Sequence, residues 1–470
     1  MDVLLSLSRS TLARKFVKSS GIPIPMPQAL VRQRAPWRHD TLHGMNLAVG
    51  WGAYSVPSDQ NDVNRLAPRQ RFADMVEALA DAGADTSGEY NQLDGILFDA
   101  STLTTPESLK ALYEYFYNRV GKLKPCSHIV IVGEAGAKHS DSANGVQSQL
   151  SPVAIATQEA LTGFVRSLSK ELGSRGITAN LISARNGTNL SGIVRYFLSH
   201  HSSYVSGQVL VASELGASPS KFEKLLARRT ILVTGAAQGI GAAIARRAAA
   251  EGAKVLLLDR PQEIAALEAL SREIRGTILP VDLLGENSVA QTINKLREFA
   301  PIHGVVHNAG ITQDKMLFKM NAEKWNSVVA LNLSVPLVMT EMMMDREHDF
   351  ICAKDASFVY ISSISGLAGN AGQTNYAATK SGVTGYVRAM AASDKCGKSR
   401  FNCVAPGFID TRMTQAMPMA AREVAKRLNS LKQGGEPDDI AQAVVFLLSD
   451  AALPINGETL RVCGHNIVGK

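Results

Sequence analysis

The sequence predicts an α/β protein made of two doubly wound parallel sheets, the first a degraded copy of the second. Three observations carry that expectation. A chain of 470 residues exceeds one ordinary domain and suits two of roughly 200 to 250 residues each. From Arg229 onward, brief apolar runs alternate with helix-forming stretches, which is the rhythm that builds a parallel sheet. Segments of the first half then echo segments of the second, in the same order.

In the second half, Thr230 to Val233 reads as a short buried strand, Gly241 to Glu251 as an alanine-rich helix and Lys254 to Asp259 as the next strand. Further strands are expected at Gly304 to His307, Ser357 to Ile361 and Phe401 to Val404. The echo in the first half is residue by residue. Asp94-Gly-Ile-Leu-Phe-Asp-Ala100 parallels His303-Gly-Val-Val-His-Asn-Ala309, and the stretch from Ala156 to Arg166 parallels that from Ala378 to Arg388. Ser206-Gly-Gln-Val-Leu210 likewise parallels Asn456-Gly-Glu-Thr-Leu460. At the places of Ser363, Tyr376 and Lys380, the first copy offers Glu134, Ala154 and Gln158, and its only glycine turn is Gly50-Trp-Gly52. The expected organisation is a non-catalytic domain over residues 1–220 and a catalytic one over 221–470, joined near Gly216 to Ser220.

Composition narrows the function classes. With 45% hydrophobic residues and 38 glycines, the chain is that of a packed globular protein. The formal charge of +7 is spread without aromatic interleaving, which argues against nucleic acid as a partner. Five cysteines without CxxC spacing suggest neither a disulfide framework nor a metal site, and point to a reducing compartment. No run approaches the ~20 apolar residues of a membrane span. Arg9, Arg14, Lys15, Lys18, Arg32, Arg34 and Arg38 precede the second acid of the chain, Asp40. The expectation is an exposed basic helix on a cytoplasmic protein, with an organellar transit segment and a matrix location as the alternative.

Thr234-Gly-Ala-Ala-Gln-Gly-Ile-Gly241 follows a strand and opens a helix. Gly235, Gln238, Gly239, Ile240 and Gly241 there form a turn whose amides face the pyrophosphate of a dinucleotide at the positive helix end. Asp259, at the tip of the next strand, suits a ribose diol and repels a 2′-phosphate, so NAD(H) is favoured over NADP(H). Asp282 and Leu283 fall where the adenine is expected, and Asn308, Ala309 and Gly310 where backbone passes the cofactor ribose.

Tyr376 and Lys380 stand four apart, on one face of a predicted helix. A phenol titrates near 10 when free, and a neighbouring ammonium is expected to lower it into a useful range for acid–base work. Ser363, at the end of a strand, is placed to donate a hydrogen bond to a carbonyl oxygen as charge develops on it.

These motifs, with Asn332 in Leu-Asn-Leu and Pro406-Gly407, make residues 229–470 similar to the short-chain dehydrogenases/reductases. Tyr376-Ala-Ala-Thr-Lys380, Val404-Ala-Pro-Gly-Phe-Ile-Asp-Thr411 and Gly457-Glu-Thr-Leu460 look most like 3-oxoacyl-[acyl-carrier-protein] reductases, and the added copy resembles the high-molecular-weight, two-domain members. The resemblance implies Rossmann-like sheets, the first a degenerate flavodoxin- or Rossmann-like copy. It implies NADH-dependent reduction of a 3-oxoacyl thioester, on CoA or carrier protein, in fatty-acid metabolism. An alcohol dehydrogenase acting on a steroid or polyol is the alternative. It further implies that Lys380 bonds the nicotinamide ribose and that Asn332 holds a water of the proton relay. Pro406, Gly407, Ile409 and Thr411 would flank the nicotinamide and phosphates, and the enzyme would be a homodimer. His307 is a departure expected to be tolerated. The polar stretch from Ser393 to Arg400, with Lys395 and Lys398, is expected to be a solvated turn, with an acidic carrier or CoA phosphates as its alternative ligands.

Overall fold

A computed structural model describes residues 27–52, 70–135, 150–213, 221–345, 351–415 and 417–466, together with Ser10, Ser19 and Pro219. Arg9, Arg14, Lys15 and Lys18 of the basic N-terminal stretch lie outside the described residues, as does most of the expected linker from Gly216 to Ser220. The chain divides into two compact units. Unit 1 holds the residues up to Phe222, joined by Pro418–Gly434 and a short stretch from Gly464; unit 2 holds Glu223–Met417 and Gly435–Cys463. Division at 220/221 therefore differs from the structure in two late segments, whose buried polar groups find their partners in unit 1.

Unit 1 is a parallel sheet of five strands in the order β1-β2-β3-β4-β5: β1 (Leu47–Trp51), β2 (Leu93–Asp99), β3 (Leu123–Glu134), β4 (Thr178–Ala184) and β5 (Val209–Ala212). Helices α1 (Gln70–Asp81), α2 (Lys110–Tyr117), α3 (Pro152–Leu172) and α4 (Ser191–Leu198) connect them. On one face Leu161, Val165 and Leu168 of α3 pack over Ile96, Phe98, Ile129, Ile131 and Leu181. Because strand side chains alternate, Leu97 and Val130 point the other way, where Leu198 of α4 approaches Gly95. Cover on both faces explains why the strands are apolar throughout instead of alternating.

Unit 2 is a parallel sheet of seven strands in the order β12-β11-β10-β9-β6-β7-β8. It begins with β6 (Thr230–Thr234), α5 (Gly239–Ala250), β7 (Lys254–Asp259), α6 (Ile264–Ile274), β8 (Thr277–Pro280), α7 (Ser288–Leu296) and β9 (Ile302–His307). It continues through α8 (Ala322–Val329), α9 (Val335–Met344), β10 (Cys352–Ile361), α10 (Ile364–Ala368), α11 (Thr374–Ala391) and β11 (Arg400–Pro406). The short α12 (Arg412–Gln415) leads towards α13 (Met419–Arg427), which belongs to unit 1, and α14 (Pro437–Leu448) and β12 (Thr459–Val462) complete unit 2. Strand order reverses at the β6/β9 pair, and such a switch point opens a crevice at the carboxyl ends of the strands. Unit 1 has no reversal and, among the described residues, no counterpart of β7 and β8.

The repeat extends to hydrogen bonds that sequence comparison did not single out. Asn180 on β4 donates to the Val205 carbonyl (2.9 Å) and accepts from the Gln208 amide (3.1 Å). Asn402 on β11 donates to the Ile455 carbonyl (3.0 Å) and accepts from the Glu458 amide (3.0 Å). Each buried amide staples its strand to the turn before the last strand of its sheet.

Two expectations are corrected. Arg400 is not part of a solvated turn: it is buried, and its guanidinium donates to the Leu447, Ala452 and Ser449 carbonyls at 2.9–3.0 Å, closing the end of α14. Burial lowers its pKa to about 10. Lys398 remains exposed. Second, Ala322–Met344 is a continuous helical stretch of 23 residues, long and apolar enough to cross a membrane. It meets that test by length and composition only, and one side of it, with Met339 and Met343, sits in the unit 2 core with Phe358 and Val383.

Asn180→Ala and Asn402→Ala should each lower stability by about 1–3 kcal/mol, the cost of stranding buried backbone groups. Urea unfolding followed by circular dichroism measures this, and an unchanged midpoint in either variant would remove that amide from the framework.

Candidate active site

The crevice begins with the turn after β6. Gly235 and Gly239 both adopt left-handed backbone (φ 65 and 59), which suits glycine. A Cβ on Gly235 would strike Ala309, and one on Gly241 would overlap the Gly235 carbonyl, so both lie against other backbone. At Gly239 a Cβ would find nothing nearer than the Thr411 methyl at 4.0 Å, leaving room for a ligand at the start of α5. That helix has no side-chain cap and no acid in its first turn. Its free amides and positive end therefore fit a pyrophosphate.

Thr234 and Asn308 lock this turn to the end of β9. The Thr234 hydroxyl donates to the Val306 carbonyl (3.2 Å) and accepts from the amides of Asn308 and Ala309 (3.0 Å each). The Asn308 amide donates back to the Thr234 and Gly235 carbonyls at 2.9 and 3.0 Å. Thr234 had no assigned role in the sequence reading, although it opens the glycine motif. Its neighbour His307 is buried, bonded to the Thr340 hydroxyl (3.0 Å) and lowered by burial to about 3, so it is neutral and structural.

Asp259 lies at the tip of β7, where its carboxylate accepts from the amides of Ala237 (2.9 Å) and Arg260 (2.8 Å). Arg260 is itself paired with Glu263 at 2.9 Å. Asp282 accepts from the Leu284 amide (3.0 Å), which shapes the turn after β8, with Leu283 buried behind it. Ile409 is buried and bridges Gly435, and the Gly407 amide donates to the Val462 carbonyl at 2.9 Å. Of Pro406, Gly407, Ile409 and Thr411, it is Thr411 that comes near the glycine turn, its methyl 4.0 Å from a Cβ placed on Gly239.

The chemical groups come from β10 and α11. Ser363 caps α10, its oxygen accepting from the Ser365 amide at 3.1 Å, and its side chain lies near enough to Tyr376 to influence the phenol. Lys380 is buried with its ammonium donating to the Ile361 carbonyl (2.8 Å), while the Ser362 hydroxyl donates to the Lys380 carbonyl (2.7 Å). Asn332 sits in a five-residue π-helical turn, Ala330–Ser334. Its side chain is spent on the Ile311 peptide, accepting from the amide and donating to the carbonyl at 2.9 Å each. Its amide thus holds the segment after Gly310.

The electrostatics reverse one expectation. Lys380 Nζ stands 5.6 Å from the Tyr376 ring centroid. Burial dominates there: it raises the phenol above its ordinary value, opposed by the nearby Ser363 side chain and reinforced by the Asp314 carboxylate. The same burial lowers Lys380 to about 8. Tyr376 is accordingly held as a protonated acid, ready to give a proton to a developing alkoxide. Asp314 also accepts from Gln373 at 2.8 Å, and the Lys315 amide donates to the Gly372 carbonyl (2.8 Å), tying the loop after β9 to the start of α11. Asp314 and Gln373 carried no sequence signal, being 59 residues apart.

In the first copy, strand register sets Glu134 in the place of Ser363, with Val132 and Ile361 in equivalent rungs beside Ile182 and Val404. Gln158 fills the lysine position: it accepts from the Glu134 amide (2.7 Å) and donates to the Ala100 and Leu103 carbonyls (2.9 and 2.7 Å). Arg71 extends from α1 to Glu134 at 3.4 Å and Asp99 at 3.8 Å. Structural bonds thus occupy the positions of the chemical groups.

The family described as Enoyl-(Acyl carrier protein) reductase matches residues 235–464. A 3-oxoacyl-[acyl-carrier-protein] reductase FabG of Thermotoga maritima is 35% identical over 246 residues, 51% of this chain and 98% of the relative. FabG of Escherichia coli is 37% identical over 239 residues, 50% and 95% of the two chains. An acetoacetyl-CoA reductase of Synechocystis sp. is 39% identical over 237 residues, again 50% and 95%.

Tyr376→Phe should lower turnover by 10²-fold or more, the usual worth of a general acid, while cofactor affinity measured by fluorescence titration stays within about threefold of the parent. Retained turnover would remove the acid role. With Lys380 titrating near 8, its ammonium is present below that pH and lost above it. The profile of kcat/KM, which reports the free enzyme, should fall as pH rises through about 8, and a profile flat to pH 10 would refute the assignment.

Proposed function

The chain belongs to the short-chain dehydrogenase/reductase family, and from that membership we propose that it reduces 3-oxoacyl thioesters, on CoA or acyl-carrier protein, to 3-hydroxyacyl thioesters with NADH. It is an oxidoreductase using a nicotinamide cofactor. The observation that carries the reading is the meeting of Ser363 and Tyr376, whose phenol is raised above its ordinary value, beside a turn with room for a pyrophosphate.

A nicotinamide held in this crevice would supply the hydride that the C3 carbonyl carbon receives. Ser363 donates a hydrogen bond to that carbonyl oxygen as negative charge gathers there. Tyr376 gives its proton to the same oxygen, completing the alcohol. Lys380 holds the cofactor ribose with ammonium protons left beyond the Ile361 bond. Asn332 fixes the Gly310–Ile311 backbone beside it.

Three features support NADH. Asp259 keeps its carboxylate at the tip of β7, Arg260 is engaged by Glu263 and Gln238 carries no charge. A 2′-phosphate would therefore meet an anion without a free cation beside it. Along Ala322–Met344, Val338 and Met342 are apolar and exposed one turn apart, a surface suited to a second copy, so we read the enzyme as a homodimer. Its five cysteines, all buried and none in a disulfide, fit the cytoplasm.

Acetoacetyl-CoA should be reduced with NADH at a kcat/KM about tenfold or more above that with NADPH, the discrimination that one misplaced charge supplies. Asp259→Ala should narrow the ratio to below about threefold. Preference for NADPH in the parent would overturn the cofactor reading. Turnover of crotonyl-CoA without turnover of acetoacetyl-CoA would move the reaction to a C=C bond.

A further inference from the structure

The loop from Phe408 to Thr411 is held at both ends within unit 2. Its own chain continues through α12, where the Thr414 hydroxyl donates to the Ile409 carbonyl (2.8 Å) and accepts from the Thr411 amide (2.9 Å). On its other side Gly435 pairs with it, the Asp410 amide donating to the Gly435 carbonyl (2.9 Å) and the Gly435 amide to the Phe408 carbonyl (3.0 Å). Between these two anchors the chain makes an excursion, Pro418–Gly434, that belongs to unit 1.

That excursion is built into unit 1 by buried polar bonds. The Tyr204 hydroxyl donates to the Gln433 carbonyl (2.9 Å) and accepts from the Asn429 amide (3.3 Å). Asn429 also donates to the Gln433 carbonyl (2.7 Å), and Gln433 donates to the Gln28 carbonyl (2.7 Å). The Ser430 amide donates to the Gly464 and His465 carbonyls at 3.0 and 3.1 Å, and the His465 ring contacts the hydroxyl of Ser169 on α3. A Cβ on Gly207 would collide with that ring, so the turn before β5 is shaped for it. Asn429, Leu431 and Gln433 are each fully buried. In the repeat, Tyr204 stands where unit 2 has Pro454, so the hydroxyl is a feature of the first copy alone.

We propose that Tyr204 is a positioning residue for the cofactor loop: it seats the Asn429–Gln433 segment, which runs directly into the Gly435 that pairs with Phe408 and Asp410, and so steadies that end of Phe408–Thr411. This rests on the reading of that loop as part of the nicotinamide site. Seating lowers the entropy lost when the loop orders on a cofactor, so a looser excursion reduces the competent fraction and weakens apparent binding without altering the assembled site. The effect belongs in KM for NADH, and saturating cofactor restores the closed loop and kcat with it.

The test is Tyr204→Phe in the full chain, which keeps the buried ring and removes one hydroxyl. KM for NADH should rise about tenfold with kcat within twofold, and trypsin should cut faster at Arg422, Lys426, Arg427 or Lys432, with saturating NADH restoring protection. An unchanged KM with an unchanged digestion pattern, or a lowered melting temperature with parent-like KM, would overturn the proposal. Should the variant lose cooperative melting, Asn429→Ser is read in the same assays with the same expected and overturning outcomes. A parent enzyme that turns over acetoacetyl-CoA with NADH keeps the two readings separate: failure of the parent refutes the site, whereas an active parent with an indifferent variant refutes only the positioning.

Discussion

At the carboxyl ends of β6 and β9, one threonine hydroxyl and one asparagine amide hold two diverging strands together. Strand order reverses there, so the connections leave in opposite directions and nothing in the sheet ladder itself closes the gap. Thr234 and Asn308 close it with five hydrogen bonds. The left-handed glycines, the open ground at Gly239 and the uncapped start of α5 all take their places from that knot. A dinucleotide binding here would meet a turn already shaped, and little of the binding energy would be consumed in ordering it.

Beyond the knot, one physical cause sets the state of both proton-carrying groups. Desolvation disfavours charge, so it moves the phenol of Tyr376 up and the ammonium of Lys380 down. A pair read from spacing alone suggests an ammonium that drags a phenol down. The enclosed pair behaves otherwise, because 5.6 Å of separation and a carbonyl partner for the lysine weaken the direct influence. An acid kept protonated is what carbonyl reduction asks of this position.

Much of this was legible in the residues, for reasons that are local. The strands carry unbroken apolar runs because both faces are covered, and the glycine turn and the Tyr376–Lys380 spacing are read within a few residues. The degraded copy was legible too, since Gln158 and Glu134 fall in register with the groups they replace. What stayed hidden was set by distant contacts. Arg400 looks like a surface charge until its three carbonyl partners are placed, and Asp314 meets Gln373 only after folding. The shorter first sheet could not be counted from sequence either, as one apolar run more or less does not show which strands it would pair with.

The assignment of Pro418–Gly434 to unit 1 bears on how such a chain could evolve. Two copies joined end to end begin as separable modules, each of which can be lost or exchanged. Once Asn429, Leu431 and Gln433 became interior residues of the other copy, deletion of the first would strip them of their partners and expose them. The first copy can then be retained by selection whatever chemistry it carries, because the fusion has become a ratchet.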